Sequence, residues 1–297
     1  MVTPLDDALG AAGLVPQDVS WLIERALAED VDEHGDVTSI ATLAPQAHGV
    51  MDLVARRPGV VAGVPVASAV FAAVNPQLHV QIRRADGESV LPGEVILTVS
   101  GCLQDLLRAE RPALNLLGHL SGIATLTRAW VDAIAGTGAK IRDTRKTTPG
   151  MRTLEKYAVR CGGGTNHRMS LSDAALIKDN HVVGAGGVVP AFTQVRQAFP
   201  GLPIEVEVDD LDQLAEILEA GADLVLLDNF TIPQLHAAVA LNAGRARLEA
   251  SGGLTLDHAR EVAETGVDYL AVGALTHSAP VLDIGADVRT DVIVEER

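Results

Sequence analysis

Arg145, Lys146, His167, Arg168 and Lys178 carry the strongest chemical signal in the sequence. A guanidinium grips a carboxylate through paired hydrogen bonds, and an ammonium is a compact point charge. Cations gathered so closely repel one another unless an anion of similar charge lies among them. Residues 140–181 hold nine basic residues (Lys140, Arg142, Arg145, Lys146, Arg152, Lys156, Arg160, Arg168, Lys178) against four acids (Asp143, Glu155, Asp173, Asp179). The whole chain has a formal net charge of −16. A basic island in so acidic a chain points to a focused anion site. The acidic remainder disfavours nucleic acid and anionic membranes as partners.

A second set of residues is acidic or glycine-rich. Glu207 and Asp228 follow one another at expected strand ends. Alternation along Ile204–Val208 puts Glu205 on the face of Glu207, but deeper. A buried glutamate needs a partner, so Glu205 is expected to pair with a Lys or Arg. Ser251-Gly252-Gly253 and Val272-Gly273-Ala274 end two further strands. Backbone N–H groups at such turns suit a phosphate. Gly162-Gly163-Gly164, just before His167, allows close backbone approach to a ligand. Gly184-Ala185-Gly186-Gly187 lacks the third glycine of a dinucleotide fingerprint. No HExxH motif is present, and His34, His48, His79, His119, His236, His258 and His277 have no metal-ligand spacing. Lys178 at a strand end raises a Schiff-base aldolase as an alternative. Among so many cations, however, it is expected to stay charged.

These residues need a scaffold. The chain has 297 residues, 47% of them hydrophobic and only 3% aromatic, which suits two domains or one barrel with an appendage. A helix is expected at 17–30, with Ser20 as its cap. Short strands at 50–56, 60–62, 78–84 and 95–100, with a helix near 66–74, suggest a mostly antiparallel α+β layer. Long helices are expected at 103–120 and 123–135, the first kinked or restarted at Pro112. Strands then recur at 139–144, 175–178, 203–208, 224–228, 246–250 and 269–272, with helices at 189–198, 211–220, 232–241 and 256–265. This is the cadence of parallel strands with crossover helices. Nearly every strand delivers a polar residue or glycine at its C-terminal end, which favours a barrel mouth over one switch point of an open sheet. Six or seven strands imply fewer than eight staves. Cys102 and Cys161 show no CxxC pattern, and neither a secretory signal nor an 18-residue apolar run is visible. A reduced, cytoplasmic setting is the expectation.

The ordered motifs Glu110-Arg111-Pro112-Ala113-Leu114-Asn115, Ser121-Gly122-Ile123-Ala124-Thr125, Asp143-Thr144-Arg145-Lys146-Thr147-Thr148-Pro149-Gly150, Gly164-Thr165-Asn166-His167-Arg168, Leu176-Ile177-Lys178-Asp179-Asn180-His181, Leu227-Asp228-Asn229-Phe230 and Glu249-Ala250-Ser251-Gly252-Gly253 resemble quinolinate phosphoribosyltransferase. The resemblance runs from about residue 20 nearly to the C-terminus. Ser170 and Ala271 depart from it, where glycine and serine are expected.

The resemblance implies an α/β fold: an N-terminal α/β sandwich at 1–116, rejoined by 281–297, and an incomplete parallel α/β barrel at 117–280, the type-II phosphoribosyltransferase arrangement. It implies transfer of phosphoribosyl from phosphoribosyl pyrophosphate to quinolinate, giving nicotinate mononucleotide, CO₂ and pyrophosphate in NAD synthesis. Arg111, Thr144, Arg145, Lys146, His167 and Arg168 would hold quinolinate. Lys178, Glu207, Asp228, Ser251, Gly252, Gly253, Val272, Gly273 and Ala274 would hold the phosphoribosyl donor. Lys146, Lys178, Glu207 and Asp228 would be catalytic, with Mg²⁺ near the two acids. It also implies a homodimer, or a hexamer built from it, with Arg111 reaching into the neighbour's site. A type-II enzyme acting on nicotinate is the nearer alternative, an aldolase or non-catalytic anion-binding barrel the farther one.

Overall fold

The computed structural model describes residues 4–31 and 33–290. In chain order it contains α1 (Pro4–Ala11), α2 (Pro16–Asp30), α3 (Val37–Thr42), β1 (His48–Ala55), β2 (Gly59–Val60), α4 (Val64–Val74), β3 (His79–Ile82), β4 (Ser89–Val90), β5 (Val95–Cys102) and α5 (Leu103–Ala133). There follow β6 (Lys140–Arg142), α6 (Arg152–Cys161), β7 (Ala175–Ile177), α7 (Asp179–Ala185), α8 (Val188–Ala198), β8 (Ile204–Val208), α9 (Leu211–Glu219), β9 (Leu224–Asp228) and α10 (Ile232–Asn242). The last elements are β10 (Arg247–Ser251), a 3₁₀ turn Leu256–His258, α11 (Ala259–Glu264), β11 (Tyr269–Ala271), α12 (Ala274–His277) and β12 (Ile284–Thr290). Two compact units emerge. The first falls within Met1–Leu126, Thr148–Gly163 and Ser278–Arg297, the second is Thr127–Thr147 with Gly164–His277.

The first unit is built on an antiparallel sheet ordered β12-β1-β5-β3, with a separate β2-β4 pair. The late strand β12 runs beside β1, from Gly49 opposite Thr290 to Ala55 opposite Ile284. Ion pairs Arg56–Asp287 and Arg289–Asp52 fasten this seam. The rest of the expected 281–297 return, 291–297, lies outside the described residues. The expected cap Ser20 sits inside α2, which begins at Pro16. Proline suits a first helical position because its fixed φ fits and no N–H is lost.

The expected pair of helices at 103–120 and 123–135 is one helix, α5, with Pro112 inside it. Ser121-Gly122 reads as a break, but both residues serve packing. Ser121 Oγ accepts the Ala62 N–H at 3.0 Å. Gly122 faces the Pro280 carbonyl so closely that a Cβ would overlap it. Glycine here admits a neighbouring backbone and leaves the helix unbroken.

Helix α6 is not among the expected helices, although Leu154, Tyr157, Ala158 and Cys161 recur at helical spacing. It buries Glu155 and Lys156 together with Leu154, Tyr157, Ala158 and Val159. Glu155 accepts from the Thr148 N–H at 3.0 Å and lies 2.9 Å from His119 Nε2.

The second unit is a six-stranded sheet ordered β6-β11-β10-β9-β8-β7, parallel throughout. Buried on both faces, its strands read as apolar runs, as in Leu224–Asp228. Among the described residues no ladder joins β6 to β7, so the barrel is incomplete. Thr165 adds a single parallel bridge to Arg142 outside β6. Side-chain caps start its helices: Asp210 accepts from Gln213 N–H at α9, and Thr231 forms a capping box with Gln234 at α10. Each strand is thereby held with its C-terminal end toward one mouth.

Candidate active site

A cleft of 560 Å³ occupies that mouth. It is lined by Thr144, Arg145 and Lys146 after β6, by His167 and Arg168, by Lys178 after β7, and by Glu207, Asp228 and Ser251-Gly252 at the ends of β8, β9 and β10. Ten sequence-predicted residues therefore converge. Arg111 does not line this cleft; it sits on α5, 63% exposed, with its guanidinium 3.9 Å from Glu110. Gly253, Val272, Gly273 and Ala274 are also outside the lining. Gly273 instead lets the Lys146 side chain pass: a Cβ would stand 2.9 Å from Lys146 Cδ. Thr276 Oγ1 donates to the Lys146 carbonyl at 2.8 Å, which pins that loop.

Of the nine basic residues in the island, four line the cleft. Arg152, Lys156 and Arg160 belong to α6. Lys140 opens β6 at the opposite end of the strand, and Arg142 is bound to Glu249.

The loop bearing His167 and Arg168 is tied to β6. Buried Asp143 accepts from the His167 N–H at 2.8 Å and from Asn166 Nδ2 at 2.6 Å. Beyond it, Ser170 donates its N–H and Oγ–H to Asp173, while its Oγ accepts from the Ser172 N–H. A serine at this position thus builds a closed turn. Ala271, the other departure, lines the cleft.

Arg145 and Arg168 stand close enough to disturb each other. Burial and the Arg145 charge hold the Arg168 guanidinium below its ordinary value. Arg168 Nη1 donates to the Ala174 carbonyl at 3.0 Å. The Nε of both arginines is buried without a partner. Two neighbouring guanidiniums with unmet donors are suited to a ligand bearing adjacent carboxylates.

The cleft also carries acids. Lys178 Nζ donates to Glu207 Oε2 at 2.6 Å, and Asp228 Oδ2 accepts from Asn229 Nδ2 at 2.6 Å. Asn229 has a left-handed φ of 56°, and its side chain would overlap any Cβ on Gly252. Asn229 thus links the acid to the glycine turn, a contact the sequence does not announce.

Below the cleft lies a buried polar group. His167 Nδ1 accepts the Arg168 N–H at 2.7 Å, so Nε2 carries the ring proton toward Glu205 Oε2, 2.7 Å away. The expected basic partner of Glu205 is Arg142, at 3.9 Å, with the histidine closer still. Arg142 Nη1 lies 2.6 Å from Glu249 Oε2 and its guanidinium 4.6 Å from the Tyr269 ring. Burial and the Glu205 charge push the Glu249 carboxyl up to about 7 against the pull of Arg142. Alternation along β10 puts Glu249 on the face of Ser251, the one sequence signal that could have found it. His167, Glu205 and Glu249 bring ligand atoms within 4.8 Å of one another, close enough to hold a metal ion. Arg142 already supplies positive charge there, so this group does not fit a resident cation.

Strand-end cations, acids and glycine turns around one barrel mouth define a transferase of the type-II phosphoribosyltransferase fold acting on small anionic molecules. Two family models match, quinolinate phosphoribosyl transferase N-terminal domain over residues 36–121 and C-terminal domain over 123–287. The chain belongs to the quinolinate phosphoribosyl transferase family. A Mycobacterium leprae relative named nicotinate-nucleotide pyrophosphorylase (carboxylating) is 53% identical over 271 residues, covering 90% of this chain and 95% of the relative. NadC from Streptococcus pyogenes superposes with a TM-score of 0.90 at 39% identity, over 93% of this chain and 98% of that one. The nicotinate-nucleotide pyrophosphorylase from Francisella tularensis gives 0.90 at 36% identity, over 94% and 99%. No helix among the described residues is long and apolar enough to cross a membrane.

Proposed function

We propose that this protein transfers the phosphoribosyl group of phosphoribosyl pyrophosphate to the ring nitrogen of quinolinate. The bond from ribose C1 to pyrophosphate breaks as the new C–N bond forms. The adjacent carboxylate then leaves as CO₂, its electron pair stays on the ring carbon, and a solvent proton replaces it. The product is nicotinate mononucleotide, a precursor of NAD. The observation that carries this reading is the gathering of Arg145 and Arg168, both with unpartnered Nε atoms, with Glu207 and Asp228 in one cleft.

Arg145 and Arg168, with Lys146, hold the two carboxylates, and Thr144 fixes their turn by accepting the Lys146 N–H at 3.0 Å. His167 orients this side from below. Lys178 bridges toward the donor's phosphate charge. Glu207 and Asp228 face the ribose, where negative charge stabilises a cationic transition state. Ser251, Gly252, Gly253, Val272, Gly273 and Ala274 form the 5′-phosphate turns. Mg²⁺ suits the oxygen donors of Glu207 and Asp228, each of which has only one carboxylate oxygen hydrogen-bonded among the described residues. When bound, it would neutralise charge on the pyrophosphate leaving group. Arg111, exposed on α5, serves the neighbouring site of a homodimer or of a hexamer built from dimers. The catalytic part corresponds to 117–280, the sandwich to 1–116 with 281–297. A cytoplasmic setting suits two free thiols, Cys102 and Cys161.

The test is incubation with phosphoribosyl pyrophosphate, Mg²⁺ and either quinolinate or nicotinate, with CO₂ and mononucleotide measured. Equimolar CO₂ and mononucleotide from quinolinate are expected. Product from nicotinate alone, without CO₂, would refute the reading.

A further inference from the structure

The buried group beneath the cleft sets two acids, Glu205 and Glu249, against one arginine, Arg142. Glu249 is 0% and Glu205 3% exposed. Arg142 is their shared cation, 2.6 Å from Glu249 and 3.9 Å from Glu205. His167 Nε2 reaches both acids, at 2.7 Å from Glu205 and 3.7 Å from Glu249. Each carboxylate leaves its Oε1 buried and without a hydrogen-bond partner. Two ionised acids would hold buried negative charge under a cleft built to receive a dianion. A single proton on one of them lessens it.

Glu205 is engaged by His167 at 2.7 Å. Glu249 faces His167 at a looser 3.7 Å and also lines the cleft. The charged and titratable groups around it are Arg142 on β6, Glu205 on β8, His167 and Arg168 on the intervening loop, Tyr269 opposite it on β11, and Asp228 at the end of β9.

We propose that Glu249 is a positioning residue that takes up a proton from solvent when the dicarboxylate binds, so that the floor of the cleft sheds one negative charge while Glu205 keeps His167 in place. This inference rests on the quinolinate reading. Its sign follows from electrostatics: an arriving dianion favours the neutral form of a nearby acid. Affinity then falls as pH rises past about 7, where free Glu249 increasingly loses its proton. The loss can reach about tenfold per pH unit, one proton per ligand.

Calorimetric titration of the full chain with quinolinate alone, at pH 6, 7 and 8 in two buffers of different ionisation heat, reads proton uptake directly. Uptake in the wild type should rise from pH 6 to pH 8. E249Q, permanently neutral at that position, should lack the increment and lose correspondingly less affinity over the same range. A purely structural role would shift affinity equally at each pH. Equal uptake by wild type and E249Q would overturn the proposal. If E249Q does not fold, the wild type decides, and no rise in uptake overturns it. A wild type that ignores quinolinate at every pH would overturn the substrate assignment as well, which separates the two failures.

Discussion

Lys178 Nζ sits 2.6 Å from Glu207 Oε2, so the lysine and the acid at two consecutive strand ends form one ion pair. An ammonium held this way is a poor nucleophile, since imine formation needs a free amine. Borohydride added with a carbonyl substrate should therefore leave Lys178 unmodified, as peptide mass spectrometry would show. Lys178→Ala should lower kcat/KM for phosphoribosyl pyrophosphate by about tenfold or more, the scale of a lost charged hydrogen bond. A trapped adduct on Lys178 would revive the aldolase alternative.

Arg145 donates to no protein acceptor among the described residues, and its Nε is buried. Arg145→Ala should therefore cost the fold little and substrate binding much. The expected rise in KM for quinolinate is about ten- to a hundredfold, from charged hydrogen bonds of about 1.5–3 kcal/mol. The melting temperature should hardly move. An unchanged KM would remove Arg145 from the carboxylate subsite.

Gly252 has φ +88°, and a Cβ there would overlap the Asn229 side chain. Gly252→Ala should push Asn229 away from Asp228. Steady-state kinetics should show a higher KM for phosphoribosyl pyrophosphate with little change for quinolinate. A destabilisation of about 1–3 kcal/mol should accompany it. Equal effects on both substrates would mean that the turn does not belong to the donor's half.

Gly122→Ala tests the reading of α5. In an ordinary helix this change gains up to about 1 kcal/mol. Here the added methyl meets the Pro280 carbonyl, and overpacking of about 1–3 kcal/mol should win. Thermal melts should show a lower midpoint, whereas a higher one would mean that the backbone around Pro280 yields freely.

Glu249 also predicts a stability profile. Its carboxyl rises from 4.5 to about 7 on folding, so the native state binds the extra proton. Its contribution is present below pH 4.5 and is lost as pH climbs through about 7. Glu249→Gln should flatten the decline in melting temperature between pH 5 and 8. Parallel profiles for wild type and variant would contradict this.

Much of the site was legible because strand ends announce themselves. Lys178 and Asp228 each close an apolar run, Glu207 belongs to the alternating stretch Ile204–Val208, and Arg145 and Lys146 follow β6 closely. What stayed hidden depends on long-range pairing. Glu249 looks like one more polar residue until Arg142, 107 positions earlier, is seen against it. Asn229 gains meaning only beside Gly252. In the fold, Ser121-Gly122 reads as a break because local propensity knows nothing of Pro280, whereas α6 was legible in the spacing of Leu154, Tyr157, Ala158 and Cys161 but was not among the expected helices.

Among the described residues no Phe, Tyr or Trp lines the cleft; its apolar walls are Leu176, Leu226 and Ala271. A flat ring resting there has no aromatic face to stack upon. Recognition must then come from where the anionic groups sit, with the ring acting mainly as a spacer between them. A saturated scaffold that holds two carboxylates at the same separation, with no ring nitrogen to react, should occupy the site as a dead-end competitor. Inhibitor design for this protein can begin from charge spacing and leave aromaticity aside.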